Sequence, residues 1–254
     1  MASLTDTSDA TGQSQTVKAQ LRLRELIVGG ALKPGQRIAE LALVERIGVS
    51  RTPIRMALVR LQEEGLLEPL PGGGFVVKDF SEDDIHDAIE LRGTLEGLAA
   101  RLAAERGVSA VLAAEARECL ERIDALLAEP ELTDASFARY VEQNSRLHDL
   151  LAEMAGSALL ARQLERVKTL PFASPNGFVF ASALSPRSRD SLVVAQAQHR
   201  ALLDAIGRRE GARAEAVMRE HARNAHQNLV EALQSHKSMQ RIPGANLIRK
   251  RGHR

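Results

Sequence analysis

Residues 39–77 constrain the fold of this chain most strongly, because two short helix signals are followed at once by two short strand signals. The first helix signal stops at Gly48, a residue suited to a tight turn between helices. Ser50 can cap the second helix, whose first turn tolerates Pro53. The pattern predicts two helices joined by a tight turn.

A β-hairpin is predicted directly after these helices. Residues 66–70 and 75–77 have the pattern of short strands, and they flank a glycine-rich turn at residues 71–74. An earlier helical segment, residues 21–27, stops at a pair of glycines. The order helix, helix, turn, helix, hairpin is that of a winged helix-turn-helix.

The helix after Ser50 has an apolar face and a separate basic face. The apolar face carries Ile54, Ala57, Leu58 and Leu61. Arg51, Thr52 and Arg55 lie on the N-terminal part of another face, where a recognition helix presents side chains to the major groove. An arginine there can pair with O6 and N7 of guanine. Two arginines one turn apart are also common on solvated helices, so their spacing alone leaves both interpretations open.

The charge is unevenly distributed, although the formal net charge is only +1. Residues 17–78 contain ten Lys or Arg against six Glu, which favours a nucleic-acid-binding surface. Residues 237–254 contain six Lys or Arg, no acidic residue and no apolar periodicity. We expect a flexible tail there, with auxiliary phosphate contact as the alternative.

The composition predicts a mainly α, cytoplasmic protein. Only 3% of the 254 residues are aromatic, and Ala, Leu, Glu and Arg are abundant. The single Cys119 fits a reducing compartment. The polar N-terminus, expected to be disordered over residues 1–15, and the absence of an apolar run of 18 residues exclude a secretory signal and a membrane span.

Four polar residues lie on the apolar stripes of long helical segments in the second half of the chain. Asn144 and His148 share the stripe of residues 137–155, His199 lies on a second stripe, and His221 on a third. Each histidine alone is best explained as a hydrogen-bonded core residue. Together, side chains converging from three helices indicate a divalent metal site, and the mixed N and O donors suit zinc, nickel, manganese or iron.

Arg92 also lies on the apolar stripe of its helix, and a buried arginine needs an anion. An internal glutamate and the carboxylate of an effector both match its guanidinium, so both partners are kept as alternatives. The irregular, partly apolar stretch at residues 170–178 is interpreted as a connector rather than as a pocket lining.

The N-terminal segment closely resembles the GntR family of bacterial transcription regulators. The matching residues are Pro34-Gly35, Arg37-Ile38, Glu40, Leu43, the run from Gly48 to Arg55, Ala57-Leu58, Leu61, Gly65-Leu66 and Gly74. The resemblance implies that Ser50, Arg51, Thr52 and Arg55 contact phosphates or bases.

The same resemblance implies that Gly72 and Gly73 approach the minor groove at the tip of the wing. The chain departs from the family at three positions. Leu41 and Ala42 replace an Arg-Glu pair that is common there, and Met56 replaces a glutamate.

The second half resembles the FCD ligand-binding domain of the FadR-like branch of this family. The matching residues are Glu90-Leu91-Arg92, Glu96, Ala100–Ala103, Asn144, Leu147-His148, His199–Ile206, Met218 and His221. Many relatives carry Asp where this chain has Asn144. The resemblance implies a metal held by Asn144, His148, His199 and His221, with an effector carboxylate beside it. Arg92 is our candidate for contacting that carboxylate, with an internal glutamate as the alternative partner.

These observations divide the chain into a disordered tail (1–15), a winged helix-turn-helix (16–78), an all-α helical-bundle effector domain of FCD type (79–236) and a basic tail (237–254). We expect a homodimeric regulator, most often a repressor in this family, that binds double-stranded operator DNA and answers to a small carboxylate. A metal-responsive regulator without an organic effector is the first alternative. A metal-dependent hydrolase is the second, but no acid or base stands beside the histidines at a motif spacing.

Overall fold

The computed structural model describes residues 6–176, 179, 188–233 and 236–249, with the side chains of residues 6–12 and of His236 left out. The chain forms two compact units. The N-terminal unit contains the residues up to Glu82 together with those from Pro243 onwards, and the helical unit contains Asp83–Ile242. The predicted boundary at residue 78 thus lies within the N-terminal unit, and part of the expected C-terminal tail belongs to that unit as well.

Among its described residues, the N-terminal unit has three α-helices and a hairpin. Their bounds are α1 Asp6–Val28, α2 Glu40–Ile47, α3 Arg51–Glu63, β1 Leu67–Pro69 and β2 Phe75–Val77. The strands pair antiparallel, with Leu67 opposite Val77, and Arg37 adds a bridge on the other side of β2. Gly48 ends α2 with a φ of 74°, a left-handed conformation that glycine adopts without steric cost. The fold is mostly helical, with a winged helix-turn-helix arrangement at its N-terminal end.

The first helix begins earlier than expected, since residues 6–15 lie within α1 rather than in a disordered tail. Among the residues of this helix whose side chains are described, buried positions begin at Thr16 and continue through Ala19 and Leu23 at helical spacing. The backbone of the preceding, mostly polar residues belongs to the same helix. The polar composition of residues 6–15 therefore led us to predict disorder where the structure has a helix.

The helical unit contains six long helices among the described residues and one short one. Their bounds are α4 Glu82–Arg106, α5 Ala110–Leu127, α6 Asp134–Met154, α7 Ala158–Thr169, α8 Ser188–Gly207, α9 Gly211–Leu233 and α10 His236–Met239. Helix α8 packs along α9, while α5 packs on both α6 and α8. No described helix is both long and apolar enough to cross a membrane.

Two glycines on α4 allow α9 to approach closely. A Cβ atom added to Gly93 would lie 2.6 Å from the Cβ of Ala222, and one added to Gly97 would lie 2.8 Å from Cγ of Arg219. Side chains at these positions would push the helices apart. The close approach brings the polar residues of α4 next to those of α9.

The C-terminal segment, defined as residues 243–249, is packed rather than flexible. Leu247 and Ile248 are buried, and a short 3₁₀ helix spans Ala245–Leu247. Its apolar residues are scattered among basic and small ones without regular spacing. Hydrophobic periodicity therefore could not predict that they are buried. Residues 250–254 of the expected tail lie outside the described residues.

Candidate DNA interface and metal centre

The basic face of α3 is exposed at the start of the helix. Arg51 and Thr52 are exposed in the first turn, while Pro53 and Ile54 are buried beneath them. Ser50 occupies the N-cap position, without a hydrogen bond from its side chain. Since apolar residues fix the orientation of the helix, its polar N-terminal end is free to face a ligand.

Arg55 is also exposed but is not free. Its Nε donates to Oε2 of Glu40 on α2 at 2.8 Å, and 66% of the Arg55 side chain is accessible. An exposed ion pair of this kind contributes little to stability. The guanidinium can therefore exchange Glu40 for a phosphate or a base at low cost.

The tip of the wing consists of exposed glycines, and Gly73 and Gly74 have left-handed conformations. Gly73 has a φ of 86°, and no other atom lies within 4 Å of a Cβ placed on Gly72 or Gly73. Arg37 donates from Nη2 to the carbonyl of Gly73 at 3.2 Å, which puts its guanidinium beside the wing. Sequence reasoning omitted Arg37 from the DNA-binding residues, although the basic residue in the family motif was a usable signal.

The departures from the family motif lie on the surface of this unit. Leu41 is 59% exposed and Met56 is 47% exposed, so neither side chain serves the core. Both positions are available for contacts outside the unit. Loss of the usual charged residues there therefore alters the surface and leaves the fold unchanged.

The three predicted histidines meet in the helical unit. Candidate ligand atoms of His148 on α6, His199 on α8 and His221 on α9 all lie within 4.8 Å of one another. His148 and His199 are buried, and His221 is half-buried. Imidazole nitrogens from three separate helices, placed at this spacing, form a donor set suited to one divalent ion.

Each of these histidines has its Nδ1 atom held by an oxygen acceptor. His148 Nδ1 donates to Oε1 of Glu96 at 2.7 Å. The other two histidines donate to glutamine oxygens at 3.2 Å, His199 to Gln196 and His221 to Gln198. A neutral imidazole that donates from Nδ1 carries its lone pair on Nε2. This outer layer of acceptors orients all three rings for metal binding through Nε2.

Two of these lone pairs face each other, since Nε2 of His199 lies 3.2 Å from Nε2 of His221. Burial, reinforced by His148, lowers the pKa of His199 to about 3. Burial, followed by the charges of His199 and His148, also lowers the pKa of His221 well below its ordinary value. Both rings are therefore neutral at pH 7, and a cation is the species that would satisfy both nitrogens.

Asn144 is the fourth candidate ligand, and its amide is oriented by Asn176. Asn144 Nδ2 donates to Oδ1 of Asn176 at 2.9 Å, while Asn176 Nδ2 donates to Oγ of Ser145 at 2.6 Å. The Oδ1 atom of Asn144 and the Nε2 atom of His148 are buried without a hydrogen-bond partner among the described residues. Unpartnered buried atoms of this kind are rare, and these two are suited to bind a cation.

The segment interpreted as a connector takes part in the site. Asn176 holds Asn144, and Pro175 lines the same small cavity. The structure corrects the connector interpretation for these two residues. Gly177 and Phe178, in the same predicted stretch, lie outside the described residues.

Arg92 has the internal partner that was one of its two predicted alternatives. Its Nη1 donates to Oε2 of Glu96 at 2.6 Å, and both side chains are almost fully buried. Burial raises the pKa of Glu96, but the charge of Arg92 and the contact with His148 outweigh it and lower the pKa to about 2. Glu96, which sequence reasoning did not select, therefore links Arg92 to His148 as a permanent carboxylate.

Arg92 also borders a small cavity next to the histidines. The cavity has a volume of about 30 Å³, and its lining includes Arg92, Tyr140, Asn144, His221 and Asn224. The Nε atom of Arg92 is buried without a hydrogen-bond partner among the described residues. A buried cation with an unused donor beside a polar cavity is a candidate anion-binding group.

Comparison with known families gives two matches along the chain. The family model described as "Bacterial regulatory proteins, gntR family" matches residues 14–77, and the FCD domain matches residues 87–224. The helix-turn-helix and the three histidines therefore fall in separate family matches.

Curated relatives are similar over part of the chain. The uncharacterized regulator YdhC of Bacillus subtilis is 30% identical over 149 residues, covering 59% of this chain and 64% of YdhC. A regulator from the TAR-I region of Agrobacterium vitis is 34% identical over 135 residues, covering 52% of this chain and 76% of that protein. The match with YdhC spans just under two thirds of its length.

Two solved structures share the fold. Escherichia coli McbR/YncC has a TM-score of 0.58 at 21% identity, covering 87% of this chain and 97% of that one. The Listeria monocytogenes protein Lar has a TM-score of 0.59 at 18% identity, covering 85% and 96%. At these identities the likeness supports the architecture alone.

Proposed function

This chain belongs to the GntR family of bacterial regulatory proteins and carries an FCD domain, and from that premise we propose that its DNA binding is controlled by a small carboxylate held beside a divalent metal ion. Like its family and its relatives, it is a DNA-binding transcription regulator and not an enzyme. We further propose that it acts as a homodimer on a two-fold symmetric operator, as a repressor.

The arrangement of the histidine rings is the observation that carries the metal proposal. His148, His199 and His221 hold their Nδ1 atoms on acceptors and turn three Nε2 atoms toward one another. Asn144 adds a buried, unpartnered oxygen. These four residues would hold the ion, which supplies positive charge when bound.

The charge of this donor set supports an anionic effector. Histidine and asparagine ligands are neutral, so a divalent ion would keep its full charge, while Glu96 is already compensated by Arg92. A small carboxylate placed in the adjoining cavity would meet the ion and the unused Nε of Arg92.

A regulator that answers to metal alone is the second candidate. It is favoured by the pairing of Arg92 with Glu96, because an arginine that already has an internal carboxylate has less need for an effector. Under this alternative the same four ligands bind the metal ion, and no organic acid changes the operator affinity.

The test combines operator selection with ligand titration. Genomic DNA fragments retained by the purified protein are sequenced, and binding of one fragment is measured by gel shift with chelator, with zinc or manganese ion, and with each ion plus acetate, succinate or citrate. We expect metal plus one carboxylate to change operator affinity by about 5-fold or more. A change with metal alone that no carboxylate alters would select the metal sensor instead.

Arg51 and Arg55 are expected to contribute strongly to operator binding. Replacing either with alanine should weaken binding by about 1–3 kcal/mol and relax base preference at one operator position, because a paired base contact is lost. Binding of wild-type and variant proteins to single-base operator variants measures this effect. Arg22→Ala, an exposed arginine paired with Glu25 on α1, is the control and should leave affinity unchanged. Equal losses on all sequences would assign these arginines to phosphates.

Replacing Asn144 with aspartate, the residue that many relatives carry there, should tighten metal binding. Asn144→Asp replaces a neutral oxygen by a carboxylate, and we expect metal affinity to rise by about 10-fold or more. The lower net charge of the site should at the same time weaken carboxylate binding. Calorimetric titration with metal, then with acid, separates the two effects. Unchanged metal affinity would show that residue 144 is not a ligand.

A further inference from the structure

The C-terminal segment belongs to the N-terminal unit, although it follows the helical unit in the chain. Leu247 is 1% exposed and Ile248 is also buried. Asn246 donates from Nδ2 to the carbonyl of Ile27 in the last turn of α1 at 3.1 Å. The segment lies beyond both family matches, so the family assignment does not account for it.

The contact with the N-terminal unit is centred on Phe80. Ile248 forms a parallel bridge with Phe80. The N–H of Phe80 donates to the carbonyl of Leu247, and the N–H of Arg249 donates to the carbonyl of Phe80, both at 2.8 Å. Phe80 lies two residues before the start of α4 at Glu82. The bridge thus ties the peptide that enters α4 to the peptide that follows α10.

The residues just before the C-terminal segment are anchored in the helical unit. Arg241 forms a 2.8 Å ion pair with Asp134, and Met239 and Ile242 are buried. The boundary between the two units falls between Ile242 and Pro243. Asn246, which bonds to Ile27, follows Arg241 by five positions, so the chain between these two anchors spans at most about 18 Å.

Helix α4, which begins two residues after Phe80, and helix α9, which precedes α10 and the C-terminal segment, both carry residues of the candidate metal centre. Helix α4 carries Arg92 and Glu96, and α9 carries His221. A displacement of α4 relative to α9 when the site is occupied would act on both ends of the bridge. A ligand alters a distant activity only by favouring one of two arrangements, and a short, doubly anchored connection can differ in strain between them.

We infer that the C-terminal segment, through its bridge with Phe80, conveys occupancy of the metal centre to the DNA-binding unit. The inference rests on the proposed function and assigns the transmission to a named element of this chain. The segment holds the unit by backbone hydrogen bonds and two buried side chains, so lengthening the connection removes the coupling while leaving both units folded.

The experiment inserts about ten Gly/Ser residues, a flexible length, between Ile242 and Pro243 of the full chain. The matched control carries the same insertion between Arg249 and Lys250, beyond the bridge. Operator affinity is measured by gel shift with chelator, with zinc ion, and with zinc ion plus acetate, succinate or citrate. In wild type and control we expect a change of about 5-fold or more. In the insertion variant the change should vanish, while zinc affinity and ligand-free operator affinity are retained.

A second pair of variants tests the same bridge without an insertion. Leu247→Asp places a charge in a buried position and should release the segment, whereas Ala245→Asp puts the same charge on a partly exposed neighbour. Only Leu247→Asp should lose the ligand-dependent change in operator affinity. If the insertion variant and Leu247→Asp keep the full change, the inference is wrong and the proposed function stands. If wild type itself shows no change, the proposed function fails and the inference falls with it.

Discussion

Replacing Glu96 with alanine is expected to lower the free energy of unfolding by about 3–5 kcal/mol, because the change leaves the buried guanidinium of Arg92 without its carboxylate. The two side chains are 1% and 2% exposed and are joined at 2.6 Å. His148 also loses the acceptor for its Nδ1 atom. Urea denaturation of wild type and Glu96→Ala, followed by circular dichroism, measures the difference.

The same helix provides a matched control for this prediction. Arg101 and Glu105 form an i,i+4 ion pair with similar geometry, but both side chains are about half exposed. Glu105→Ala should cost less than about 1 kcal/mol. The double replacement Arg92→Met with Glu96→Leu should recover much of the stability that Glu96→Ala loses, since it removes both charges. Equal losses in Glu96→Ala and Glu105→Ala would refute the role of burial.

Replacing His199 with alanine is expected to weaken divalent metal binding by about 100-fold or more. Changes to outer-layer partners of a metal site already cost about 10–100-fold, and this change removes a ligand itself. His199 is central to the cluster because its Nε2 faces Nε2 of His221 and its Nδ1 is fixed by Gln196. Calorimetric titration with zinc ion and with manganese ion measures the loss.

His226→Ala is the control for the histidine prediction. His226 packs edge-on against His86, at a ring distance of 4.5 Å, and belongs to no described metal cluster. Its replacement should leave metal affinity unchanged, and circular dichroism checks that both variants are folded. A His199→Ala protein that binds metal as tightly as wild type would contradict the proposed site.

The helix-turn-helix could be predicted from sequence because its signals are local. Gly48 ends α2 in a left-handed conformation, Ser50 precedes α3, and glycines separate β1 from β2. Each of these features depends on residues within a few positions, so propensity and turn chemistry are sufficient. Arg37 was missed as a wing residue because its contact with Gly73 spans 36 positions.

The histidine cluster was predicted from helical stripes, but its outer layer was not. Glu96, Gln196 and Gln198 act through hydrogen bonds whose partners depend on how α4, α6, α8 and α9 pack. Hydrophobic periodicity predicts which side chains of a helix face the core. It does not predict which side chains of different helices contact one another. For the same reason, sequence could not choose between an internal and an external partner for Arg92.

Docking of the C-terminal segment makes the N-terminal unit discontinuous along the chain, which affects the order of synthesis and folding. The hydrogen bond from Asn246 to Ile27 joins residues 219 positions apart. During translation, helices α1–α3 and the hairpin emerge long before the C-terminal segment that pairs with Phe80. The nascent DNA-binding unit therefore completes its packing only after the helical unit has been made, and long-range closure of this kind is a slow step.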